Sequence, residues 1–167
     1  MALRNENSSV PSQLRTYGDL VTRAMYMATR KNGGTTVDLS TFKVPAKTDG
    51  YFVGAATGWN GKDIPAHIIP ESEFTLETMR RAFGHLYADH LTAEQIENSA
   101  PITDGYIGTW TDNGLVHIDA VSWTPSYSEA VMWAVQRGED AIWDVNANGS
   151  LETAVVAPII MGELISA

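Results

Sequence analysis

The chain has 167 residues, no cysteine and a formal net charge of −9. That length suits one domain with a core of its own. The missing cysteines exclude disulfides, thiolate metal sites and cysteine nucleophiles, and 44% hydrophobic against 19% charged residues excludes a disordered polyelectrolyte.

The charge is unevenly spread. Residues 1–47 carry seven basic and three acidic side chains, residues 48–167 four basic and seventeen acidic ones, and no Lys or Arg falls between Ala82 and Gln136. Such a body repels nucleic acid, whose binding rests on neutralised phosphates, and favours solubility or a basic partner. The longest apolar stretch, AVVAPIIMG, has nine residues and a proline, against the roughly 20 that a spanning helix needs. MALRNENSSVPSQ has no apolar run of the secretory kind. The expectation is therefore a cytoplasmic protein, in the host cytoplasm if phage-encoded, with no membrane partner.

In chain order, residues 1–11 read as a flexible arm, 12–153 as a single domain and 154–167 as an apolar tail. A helix follows Pro11, with Leu14, Tyr17, Val21, Ala24, Met25 and Ala28 at three- and four-residue steps, and Asn32-Gly33-Gly34 ends it. TTVDLSTF and GYFVGAATG read as two strands joined into a hairpin through KVPAKTDG. GWNGKDIP reads as a loop bearing Trp59; it lacks both phosphate-binding glycine patterns. His67 falls in a loop between prolines.

FTLETMRRAFGHLYADH predicts the clearest helix, capped by Thr75, with Leu76, Met79, Phe83, Leu86, Tyr87 and His90 on one face. His85 and His90 stand five residues apart, which turns their rings away from each other, so no metal pair is expected. Thr92 with Gln95, and Ser126 with Glu129, have capping-box spacing, and Gly138 sits where the second of these helices ends. DAIWDV reads as a strand, NANG as a turn and SLETAVV as a last strand.

Between the two capping boxes lies GYIGTWTDNGLVHIDAVSW, a hairpin with Asn113-Gly114 as a type I′ turn. That turn pairs Trp110 with His117, Gly108 with Asp119 and Tyr106 with Val121. A bulge at Gly114 would slip the register by one and exchange the faces. In the two-residue register, Ile107, Thr109 and Thr111 meet the helices with Val116, Ile118 and Ala120. Tyr106, Trp110, His117 and Asp119 then face outward or toward a partner. These four residues and Trp59 are the candidate binding residues. Asp119 and His117 stand two apart on one strand face, as an acid–base unit requires, but no motif places a nucleophile beside them, so no catalytic residue, metal ligand or cofactor is assigned.

Strands and helices come in groups without regular alternation. The expected fold is α+β, with β-hairpins and helices packed on one face of a small, mostly antiparallel sheet. Gly108 and Trp110, Asn113-Gly114, Val116 and Asp119, the helix from Glu129 to Gly138, and Ala141 to Asp144 form a pattern that resembles a small uncharacterised α+β family of actinobacteria and actinobacteriophages. Related modules of that family occur in polyvalent proteins of mobile elements. The resemblance covers about residues 33 to 152 and implies no catalytic residues. The acidic body, the five tryptophans, the apolar tail and the lack of catalytic motifs favour an acidic, non-enzymatic phage or mobile-element accessory protein that binds a host or phage protein. Two other readings stand beside it. One is an enzyme using Asp119 and His117. The other is a DNA-mimic inhibitor of a DNA-binding enzyme, since YIGTW and the acidic format resemble ArdA-type antirestriction proteins. The apolar tail, with Pro158 inside, suggests a homo-oligomer through exchanged tails.

Overall fold

The computed structural model describes residues 12–56, 64–91, 97–98 and 105–158, of which 12–17 by backbone alone. Trp59, the Thr92–Gln95 capping box, the N-terminal arm and residues 159–167 lie outside the described residues.

The elements are α1 (Ser12–Asn32), β1 (Gly34–Asp38), β2 (Tyr51–Val53), β3 (His67–Pro70), a 3-10 turn (Glu71–Glu73), α2 (Leu76–His90), β4 (Tyr106–Asp112), β5 (Leu115–Thr124), α3 (Tyr127–Arg137), β6 (Ala141–Asp144) and β7 (Gly149–Glu152). Residues 153–158 add a short helical segment. The seven strands form one antiparallel sheet in the order β1-β4-β5-β2-β6-β7, with β3 beside β5. This is the α+β arrangement that the grouped elements lead one to expect.

The β4–β5 hairpin holds the expected register: Tyr106 opposite Val121, Gly108 opposite Asp119, Trp110 opposite His117. Asn113 and Gly114 have φ of 49° and 76°, as a type I′ turn demands. Because side chains alternate along β5, Val116, Ile118 and Ala120 all point to one face. There they join Val37 and Ile107, together with Met25 of α1 and Phe83, Leu86 and Tyr87 of α2. Each large apolar side chain so buried contributes roughly 1.5–3 kcal/mol. Farther along, Val53 lies opposite Ser122, which has the same parity as Ala120. Val53 and Ile142 pack on Ala130, Val131 and Ala134 of α3. The three long helices thus cover the same face of the sheet.

Several local expectations are corrected. β1 and β2 do not pair with each other; β1 pairs with β4, and β2 with β5 and β6. The chain after β1 closes a tight turn of its own, with the Asp38 amide donating to the Lys43 carbonyl at 2.9 Å, and it re-enters the sheet beyond β5. His67 is in a strand, opposite Ile118. The buried face of α1 includes Thr22 and Thr29 rather than Ala24. Their hydroxyls donate to the carbonyls of Gly18 and Met25, both at 2.7 Å, so they enter the interior with their polar groups satisfied. Ser126 caps α3, but Glu129 does not complete the box. Its carboxylate accepts instead from the Thr124 hydroxyl at 2.6 Å. The last strand stops at Glu152, and within the helical segment that follows Val156 packs into the α3 cluster. The first part of the apolar tail therefore covers its own domain.

Candidate functional site

β5 changes neighbours along one edge. Residues 115–118 pair with β3 and residues 122–124 with β2. In the interval, the bend after β2 supplies the missing donors: the Ala55 amide reaches Asp119 Oδ1 at 3.1 Å, and the Ala56 amide reaches the Ala120 carbonyl at 3.0 Å. Ala55 has a φ of 51°, a conformation that an alanine holds only when its surroundings impose it. Here the two hydrogen bonds impose it.

The C-terminus of α3 brings in a second carboxylate. Gly138 takes a φ of 70°, and the Glu139 amide turns back to the Ala134 carbonyl at 2.9 Å. This is a Schellman ending, and it directs Glu139 across Gly54. A Cβ on Gly54 would overlap both Asp119 Oδ2 and Glu139 Oε2, so the glycine makes room for the two carboxyl groups to meet. Arg137 stands close by. It donates to the Gly54 carbonyl at 3.0 Å and to Ser122 Oγ at 3.2 Å, and its guanidinium lies over the Trp133 ring.

Asp119 has no exposed surface, and its Oδ2 accepts no hydrogen bond among the described residues. Burial first, and Glu139 second, push its carboxyl up to about 7; the amides of Ala55 and Ala120 and the Arg137 charge oppose them. Glu139 is also raised, by burial and then by Asp140, against Arg137. Two carboxyl groups this close do not both ionise readily. With its carboxyl raised to about 7, Asp119 keeps its proton through the weakly acidic range.

On the face opposite these three helices the sheet curls into a cleft of about 400 Å³. Residues of both terminal strands line it: Gly34 and Thr36 of β1 on one side, Ser150 of β7 on the other. Between them come Gly108 and Trp110 of β4, Val121 of β5, Phe52 of β2, Trp143 of β6, and Glu139. Trp110 and Trp143 remain 36% and 42% exposed. Among the described residues Glu139 is the one charged side chain of this lining.

Of the residues singled out from sequence, Trp110 lines the cleft and Asp119 lies beneath it. Asp119 is buried rather than outward, because Glu139 and the bend at Gly54 close over it. His117 does not hydrogen-bond Asp119. Its ring stacks on Trp110, with centroids 4.8 Å apart and planes 3° from parallel. Tyr106 meets Phe52 edge to face at 5.2 Å and so backs the cleft wall. Glu139, Gly54, Phe52 and Trp143 complete the site. Their sequence signals are slight: a glycine interrupting FVGAA, and an acidic residue directly after the Gly138 helix stop. Among the described residues no three metal-ligating side chains cluster, and no helix is long and apolar enough to cross a membrane.

Compared with protein-family models, curated proteins and solved structures, the chain matches none.

Proposed function

We propose that this is a non-enzymatic interaction protein that seats a segment of a protein partner in the concave cleft. The observation that carries the reading is the distribution of cover on the sheet. All three long helices pack on one face, while the other curls around a cleft with two half-exposed tryptophans. Aromatic side chains in a concave site give large contact area at low entropic cost, and they dominate binding energies where they occur. The cleft's size is that of sites that take small groups or a few side chains. A partner recovered by the purified wild-type protein and lost by the Trp110→Ala/Trp143→Ala variant, with thermal melts alike, supports the reading. Equal recovery by both proteins removes it.

A further inference from the structure

We infer that the Asp119–Glu139 pair is the recognition point of the cleft and receives the basic side chain of the bound segment, an ammonium or guanidinium group. This deepens the proposed function and rests on it. Three observations lead here.

The first is the orphaned acceptor. Among the described residues Asp119 Oδ2 is buried without a hydrogen bond, and burying such an atom is unfavourable unless something meets it. The second is the place where the pair surfaces. Glu139 and Gly54 both line the cleft, and Asp119 lies against them. The third is the sign of the lining: among the described residues its one charge is a carboxylate, and its walls include two tryptophan rings. Aromatic faces beside a carboxylate attract a cation and its aliphatic stem.

Glu139 meets the cation directly, while Asp119 backs it and gives up its proton as the positive charge arrives. Among the described residues, the charged groups around the pair are Arg137 on α3, which opposes the cation, and Asp140, which favours it. His117, two residues along β5, is turned into its stack with Trp110. Binding therefore releases a proton, and affinity rises with pH until the pair is ionised, by up to tenfold per pH unit below neutrality.

The test uses the whole chain and three probes: the N-acetyl methylamides of lysine, arginine and norleucine. Titration is followed by NMR at the tryptophan indole N–H groups. At least one basic probe is expected to bind ten times or more tighter than norleucine, and more tightly at pH 8 than at pH 5.5. Glu139→Gln and Asp119→Asn should each abolish that preference, while Glu77→Gln, on the exposed face of α2, should preserve it. Thermal melts confirm that the variants fold; should Asp119→Asn fail to fold, Glu139→Gln decides alone. Basic probes no better than norleucine, or a preference that survives Glu139→Gln, overturn the inference. A partner held through Trp110 and Trp143 alongside such a result would leave the proposed function standing and remove this inference alone.

Discussion

Asp119 and Glu139 meet across Gly54, twenty residues apart in the chain and brought together by a strand that changes partners and a helix that ends in a left-handed glycine. The absent side chain at position 54 is what allows the meeting. Gly54→Ala would drive a methyl group into both carboxylates, and this overpacking is expected to destabilise by about 1–3 kcal/mol. Gly84 is the internal control. It lies within α2, and a Cβ there meets nothing within 4 Å. Gly84→Ala is expected to stabilise by about 0.5–1 kcal/mol through helix propensity. A Gly54→Ala thermal melt equal to or above wild type contradicts the packing described at Gly54.

The raised carboxyl of Asp119 makes stability depend on pH with a definite sign. Between its ordinary value of 3.8 and about 7, the folded state holds a proton that the unfolded state has lost. Unfolding then releases protons, so stability falls as pH rises through this window and levels off above it. Glu139 is shifted in the same direction and adds to the trend. The upper bound for Asp119 is on the order of 4 kcal/mol. Asp119→Asn removes the proton from the account. Denaturant titrations should show the variant with a flatter pH profile and greater stability than wild type at pH 8. A variant less stable than wild type at pH 8 counts against the raised carboxyl of Asp119.

The hairpin was open to inspection in the sequence because its information is local. An Asn-Gly pair between alternating apolar residues fixes the turn, the turn fixes the register, and the register fixes the faces. The Asp119–Glu139 meeting was hidden because it depends on long-range events. Nothing local to GYFVGAATG says that β2 will leave β1 and join β5 and β6, and nothing local to RGED says what lies opposite Glu139. Thr22 and Thr29 misled for a related reason. Their hydroxyls bond to the preceding helical turn and enter the core, so a stripe of apolar residues alone misplaces the buried face of α1.

Gly114→Val tests the turn by itself. A Cβ at Gly114 meets nothing within 4 Å, so any loss comes from the backbone, whose φ is 76°. A β-branched residue is poorly suited to that region. The variant should lose about 1 kcal/mol or more. An unchanged thermal melt would set the turn assignment aside.

Thr29 and Thr109 join α1 to β4 through a buried hydroxyl pair 2.6 Å apart. Replacing either with valine leaves the other without this partner, at a cost of about 1–3 kcal/mol. Replacing both should cost less than the sum of the two single changes, with a coupling of about 0.5 kcal/mol or more. Additive losses in a double-mutant cycle by chemical denaturation would mean that the pair contributes no interaction of its own.

The central claim, that the concave face is the binding face, is tested most directly by photocrosslinking in cells with p-benzoylphenylalanine at one of two positions. Position 143 lies in the cleft; position 132, an exposed methionine of α3, lies on the helical side of the sheet. The account predicts a discrete crosslinked protein from position 143 and none from position 132. A crosslink from position 132 with none from position 143 would contradict it.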